Sequence, residues 1–358
     1  MHLALLIYGS LDTISGGYLY DRKLVEFLRA QGDTVEIISL PWRNYVAHLT
    51  DNFSPALSRR LKDFRGDLLI QDELNHPSLF LLNRRLKRKT KYEILSIVHH
   101  LRASEQHPAG IMPLYRAVER AYLRPLTGFV FNSGTTRRAV EALTGQKAAR
   151  SVVALPAGDR LPISLGDEPI RQRALLPGPL RLLFVGNVIP RKGLHTVLAA
   201  LGAVDFEWTL QVVGDLRVAS GYVRGLQREV AQKGWEQRVH FWGRVEDADL
   251  FRIAAECQVL VMPSCYEGFG IAYLEGMGLG LPALGTTAGG AGEIITDGVD
   301  GFLIPPGDAG ALADRLRVWH QDRGRLVAMS LAARQRYAVH PSWAGSMGQV
   351  RDFLTCLL

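Results

Sequence analysis

The stretch Val259-Leu260-Val261-Met262-Pro263-Ser264-Cys265-Tyr266-Glu267-Gly268-Phe269-Gly270-Ile271-Ala272-Tyr273-Leu274-Glu275 decides the fold. Its first four residues form an uninterrupted apolar run of the kind buried on both faces of a parallel sheet. The segment from Phe269 to Gly280 has enough helix formers to follow as a helix, so strand, glycine-softened turn and helix succeed one another. That order puts a helix N-terminus at the carboxyl edge of a sheet. The free amides of its first turn and the helix dipole favour an anion there, and Gly268 and Gly270 let a ligand come close to the backbone. Phosphate is the guest that suits such a turn.

Outward from this stretch, strand-like apolar runs alternate with amphipathic helical ones, the pattern of an open, mostly parallel α/β sheet. Strands are expected at 2–8, 34–40, 67–73, 92–98, 128–132 and 152–155, with helices at about 17–31, 55–65, 77–89, 113–124 and 134–144. A second series has strands near 180–186, 208–213, 239–242, 259–262, 282–284 and 302–304, and helices at about 192–202, 222–233, 247–256, 270–279 and 309–321. Between the series, Pro156 to Pro179 is rich in proline, glycine and charge and shows no periodic pattern. The expectation is an N-terminal Rossmann-like domain (1–160), a linker (161–179), a C-terminal Rossmann-like domain (180–340) and a helical tail (341–358) that could pack back on the first domain. Doubly wound sheets bind ligands outside the carboxyl ends of their strands, so a central cleft faced by both domains is the expected site.

Composition narrows the function classes. A chain of 358 residues is long enough for two domains, and 47% hydrophobic with 22% charged residues excludes disorder. No apolar run reaches the roughly 18 residues of a membrane span. Residues 2–9 lack the basic and small-residue flanks of a signal peptide, so a cytoplasmic location is expected. Cys257, Cys265 and Cys356 are unclustered, which argues against a disulfide framework or a zinc site. The formal charge of +7 favours anionic partners. Basic residues gather at Arg59, Arg60, Lys62 and Arg65 and again from Arg84 to Lys91. The second group is interleaved with Leu79, Phe80, Leu81, Leu82 and Leu86. This reads either as peripheral contact with the anionic inner face of a membrane or as a solvated helix end over a core face. No nucleic-acid module or aromatic stacking pattern accompanies the charge, so nucleic acid is not expected as a partner.

Three further constellations carry chemistry. Gly186-Asn187-Val188-Ile189-Pro190-Arg191-Lys192-Gly193 follows a buried strand and opens a helix, which sets two cations where they would neutralise a diphosphate. Glu267 and Glu275 are eight residues apart, a rise of about 12 Å if both are on one helix. That separation suits the two ends of a nucleotide sugar better than a paired acid and base. Ala288-Gly289-Gly290-Ala291-Gly292-Glu293 is a further strand-to-helix turn.

These motifs, followed by Asp297-Gly298 and the run Gly301 to Asp308, resemble the family 4 retaining glycosyltransferases of GT-B fold, strongly over roughly 180–308 and weakly elsewhere. The resemblance implies that Lys192 contacts the donor diphosphate, Glu267 the transferred sugar and Glu275 the ribose. Backbone amides of Gly268, Phe269, Gly270 and Ile271 would cradle phosphate, and Val245 in the turn Gly243-Arg244-Val245 would lie by the base. Where the family commonly has arginine, this chain has Asn187, so either Arg191 supplies that charge or the diphosphate is held more weakly. In the first domain, the resemblance makes His99, or its neighbour His100, the histidine at the reaction centre. Gly16 and Gly17 match the glycine loop near the donor phosphate and acceptor, with Tyr18, Tyr20 and Asp21 opening the helix behind it.

The implied activity is retaining transfer of a hexose from a nucleoside-diphosphate sugar, such as a UDP- or GDP-sugar, to a hydroxyl acceptor, with neither metal nor cofactor. The leaving diphosphate would help deprotonate the acceptor, stabilised by Lys192, Arg191 and the helix N-terminus. A nucleotide-sugar epimerase or hydrolase of the same fold, and a non-catalytic nucleotide-sugar binder, are the alternative readings.

Overall fold

A computed structural model describes residues 1–105, 107–160 and 165–358. The chain divides into two compact units, Met1–Pro156 with Pro341–Leu358, and Ala157–His340.

The first unit holds a six-stranded, all-parallel sheet of β1 (His2–Tyr8), β2 (Thr34–Leu40), β3 (Leu68–Asp72), β4 (Glu93–Val98), β5 (Gly128–Phe131) and β6 (Ser151–Val153) in the order β2-β1-β3-β4-β5-β6. The second holds β7 (Leu180–Val185), β8 (Trp208–Val213), β9 (Val239–Gly243), β10 (Val259–Val261), β11 (Ala283–Thr286) and β12 (Gly301–Ile304) in the order β12-β11-β10-β7-β8-β9. Every one of these strands overlaps an expected one. Continuous apolar runs such as Leu68-Leu69-Ile70 and Val259-Leu260-Val261 form central strands because helices on both faces leave them 0–1% exposed. In each sheet the chain reverses its direction of winding once, between β1 and β3 and between β7 and β10. Ligand crevices of doubly wound sheets open at that point, outside the strands' carboxyl ends.

The structure departs from expectation at several helices. The stretch read as a linker, whose residues 161–164 lie outside those described, carries a helix at Asp167–Leu175. Only Ile170, Arg173 and Ala174 are buried on it, too few for a periodic pattern, and Arg173 donates to the carbonyls of Leu279 (2.6 Å) and Gly280 (3.0 Å). The single helix expected over 77–89 is broken into His76–Leu79 and Leu82–Leu86. Asn52 explains the break, since its Oδ1 accepts from the Leu81 amide (2.8 Å) and its Nδ2 donates to the Pro77 carbonyl (2.8 Å), both at the expense of helical bonding. Leu79, Leu82 and Leu86 lie in the core of the first unit. The apolar face beside the second basic cluster is therefore spent on internal packing, and these leucines cannot insert into a membrane. Among the described residues, no helix is long and apolar enough to cross one.

A helix at Arg323–Ala338 was not expected, whereas the tail forms the helix Trp343–Thr355, which packs on the helix Gly16–Ala30 within the first unit.

Candidate functional site

In the second unit the loops after β7 and β10 are laced together at the winding reversal. Gly193 takes a left-handed φ of 75°, and a Cβ there would sit 2.2 Å from the Pro263 carbonyl oxygen. The Cys265 amide donates to the Arg191 carbonyl (2.7 Å), and the Arg191 guanidinium to the Tyr266 carbonyl (2.6 Å). The result brings Lys192 Nζ to 2.5 Å and Arg191 Nη1 to 3.8 Å from Glu267 Oε1. Glu267 is 7% exposed. Burial alone would raise its pKa, but the charges of Lys192 and Arg191 outweigh burial and lower it, so it stays ionised.

The eight-residue spacing of the two glutamates is not a helical rise. The helix starts only at Ile271, and Glu267 sits before it in an isolated parallel bridge to Gly289. Two glycines make that bridge possible: a Cβ on Gly289 would lie 2.0 Å from the Glu267 carbonyl oxygen, and one on Gly290 2.4 Å from that of Gly268. Gly270, at φ 103°, is the left-handed residue that starts the helix Ile271–Gly278, whose first turn receives no side-chain cap. Phe269 is buried and rests on His340 with ring centroids 5.8 Å apart.

Glu275 is held from an unexpected quarter. Arg160 grips both its oxygens, Nε to Oε1 at 2.9 Å and Nη2 to Oε2 at 3.1 Å, and reaches Asp247 at 3.6 Å. Burial pushes the Glu275 pKa up to about 7 even against this pairing. Asn187 and Val245 are half-buried on the same carboxyl edge, after β7 and β9, and Arg244 lies 3.7 Å from Asp215.

In the first unit, Ser15 caps the helix Gly16–Ala30 by accepting from the Tyr18 amide, which sets Gly16 and Gly17 in its first turn. Gly17 lies against His99, since a Cβ there would be 3.0 Å from His99 Cδ2. His99 and His100 have different surroundings. His99 Nε2 lies 3.1 Å from Asp21 Oδ1, in the protein interior, whereas His100 Nε2 faces Glu105 at 3.0 Å. Asn132 Nδ2 donates to the His99 carbonyl (2.8 Å) and fixes its backbone. Burial would lower the His99 pKa, but the charge of Asp21 and its hydrogen bond outweigh burial and raise it. Tyr18 and Tyr20 direct their hydroxyls to the carbonyls of Tyr8 (2.5 Å) and Ala154 (3.0 Å), so both are spent on structure.

Sequence reading missed Arg160 and Asp72. Arg160 sits in no motif. Asp72 had a visible signal, as Asp72-Glu73 puts two carboxylates at the carboxyl end of a fully buried strand.

Residues 179–322 match the family model described as glycosyl transferases group 1. The chain is 27% identical over 371 residues to phosphatidyl-myo-inositol mannosyltransferase of Mycobacterium leprae, covering 94% of this chain and 93% of that protein. Other curated relatives, 29–30% identical, are matched over only 36–44% of their own length. Among solved structures, sucrose-phosphate synthase from Thermosynechococcus elongatus superposes with a TM-score of 0.83 at 21% identity, over 99% of this chain and 98% of that one. Anabaena Alr3699/HepE, in complex with UDP and glucose, gives 0.78 at 18% identity over 99% and 100% of the two chains. The chain thus has the GT-B fold, two doubly wound Rossmann-like units, and its match to the glycosyl transferases group 1 model lies in residues 179–322.

Proposed function

We propose that the protein is a retaining glycosyltransferase that moves a hexose from a nucleoside-diphosphate sugar to a hydroxyl acceptor without a metal. The observation that carries the reading is the buried, ionised Glu267 between Lys192 and Arg191, at the winding reversal of the second sheet and just before an uncapped helix N-terminus. Two cations and a helix N-terminus without a side-chain cap at one edge suit a diphosphate whose negative charge grows as the glycosidic bond breaks. A carboxylate in their midst accepts hydrogen bonds from sugar hydroxyls and opposes the positive charge that develops at the anomeric carbon. The UDP and glucose bound by HepE, a protein of the same fold, support a nucleotide sugar as donor. Lys192 and Arg191 stabilise the leaving diphosphate, with Arg191 standing in for the arginine absent at Asn187. Glu275 takes the ribose, amides of Gly268 to Ile271 take phosphate, and Val245 borders the base. His99, rather than His100, works on the transferred sugar, with Gly16 and Gly17 beside it.

The test is incubation of the purified protein with a panel of UDP- and GDP-sugars, with and without cell-derived acceptors. Nucleoside diphosphate release and the anomeric configuration of the product are followed by NMR. Acceptor-dependent release with retention is expected. Conversion of donor without acceptor would assign an epimerase or hydrolase instead, and binding without turnover a non-catalytic binder. Glu267→Ala and His99→Ala are each expected to lower turnover by about 100-fold or more; full activity in both would refute the site assignment.

A further inference from the structure

At the carboxyl edge of the first sheet, Asp21, Asp72 and His99 converge, with one polar atom from each within 4.8 Å of the others and both aspartates 0% exposed. Among the described residues the one ion pair there is His99 Nε2 to Asp21 Oδ1 at 3.1 Å, and Asp72 Oδ1 accepts from the Leu74 amide at 2.9 Å. Asp21 Oδ2 and Asp72 Oδ2 are both buried and meet no donor among the described residues. Two ionised carboxylates side by side, each with an orphaned oxygen, would be severely destabilising, whereas one added proton lets one carboxyl donate to the other and satisfies both.

We propose that Asp72 carries a proton that it shares with Asp21, and that this carboxyl pair is the positioning device that holds the His99 ring with Nε2 turned inward and Nδ1 available to a substrate hydroxyl. Nδ1 makes no hydrogen bond among the described residues. Only the mention of a substrate hydroxyl rests on the glycosyl-transfer reading; the proton arrangement stands without it. Surrounding groups leave the proton on this pair. Tyr18 and Tyr20 on the same helix and Tyr122 on the helix Met112–Leu123 are held un-ionised by burial. Glu73, next in sequence, is kept protonated chiefly by its burial, with Glu119 adding to it. Burial, then the negative charge of Asp21, pushes the Asp72 pKa from 3.8 up to about 7.

Asp72 keeps its proton in the folded protein to about pH 7 but loses it near 3.8 when unfolded, so its contribution to stability declines as pH rises across that interval. Asp72→Asn supplies a permanent donor of the same shape. In the full chain it is expected to fold, to leave the His99 titration seen by NMR of 15N-histidine-labelled protein unchanged, and to flatten the dependence of thermal stability on pH between about 5 and 7. Asp72→Ala removes the donor and is expected to shift the His99 titration. Asp21→Asn, if it folds, is expected to lower that titration by about one pH unit or more. An Asp72→Asn stability profile parallel to wild type, a His99 titration indifferent to Asp72→Ala, or a stoichiometric divalent cation bound at this cluster would overturn the proposal. Loss of glycosyl transfer with these results intact would instead sink the functional reading.

Discussion

Arg160 and Gly17 show how single residues set the state of the groups around them. Arg160 is the cation that keeps the buried Glu275 chargeable near neutrality, because without it nothing opposes the cost of burial. Arg160→Met is expected to raise the Glu275 pKa above about 7, weaken nucleoside diphosphate binding at pH 7 by about tenfold, and restore it partly as pH rises. Calorimetric titration with UDP and GDP across pH 6–9 checks this, and a wild-type pH profile in the variant would show that Arg160 has no such part. Gly17→Ala places a methyl group against the His99 ring. It should reduce turnover well before it reduces thermal stability, a difference read by assay and calorimetry on the same sample. Glu267, Lys192 and His99 were legible in the sequence because short local motifs mark them. Arg160 and Asp72 were not, because their meaning depends on partners far along the chain: Arg160 and Glu275 are 115 residues apart.

At the level of elements, parallel strands advertise themselves by unbroken apolar runs, which is why all twelve lie where the sequence put them. Helices are harder to see when their buried face is small or polar. The helix Arg323–Ala338 buries Leu326, Met329, Ser330 and Ala333, a helical spacing disguised by serine and alanine. The broken helix after β3 was invisible for another reason, since its interruption is imposed by Asn52 from a different segment. Tight bridges between loops are also elements in their own right, and the Glu267–Gly289 bridge admits no side chain on the glycine. Gly289→Ala, at φ 81° and 2.0 Å from a carbonyl oxygen, is expected to cost about 2–4 kcal/mol and to abolish donor binding. Chemical denaturation and nucleotide titration would measure the two effects separately.

For the whole molecule, the first unit is closed by an ion-pair knot. Asp33, with its side chain 2% exposed, accepts from the Met1 amine at 2.8 Å and pairs with Arg351 of the last helix at 2.7 Å. Burial would raise its pKa, but the hydrogen bonds from Arg351 and the terminal amine outweigh burial and lower it. Its contribution is present above the unfolded value of 3.8 and is lost as pH falls through the lower folded value. Asp33→Asn should therefore destabilise the protein at neutral pH and do so much less in strong acid, as followed by thermal melts from pH 2 to 7.

The return of the last helix to the first unit also dictates an order of events during synthesis. Domains emerging from a ribosome usually fold N-terminal first. Here Ala157–His340 is complete before Pro341–Leu358 has been made, so the second unit can mature while the first still lacks the helix that covers Gly16–Ala30. A chain truncated after His340 should resist protease over its later half and be cut in its earlier one.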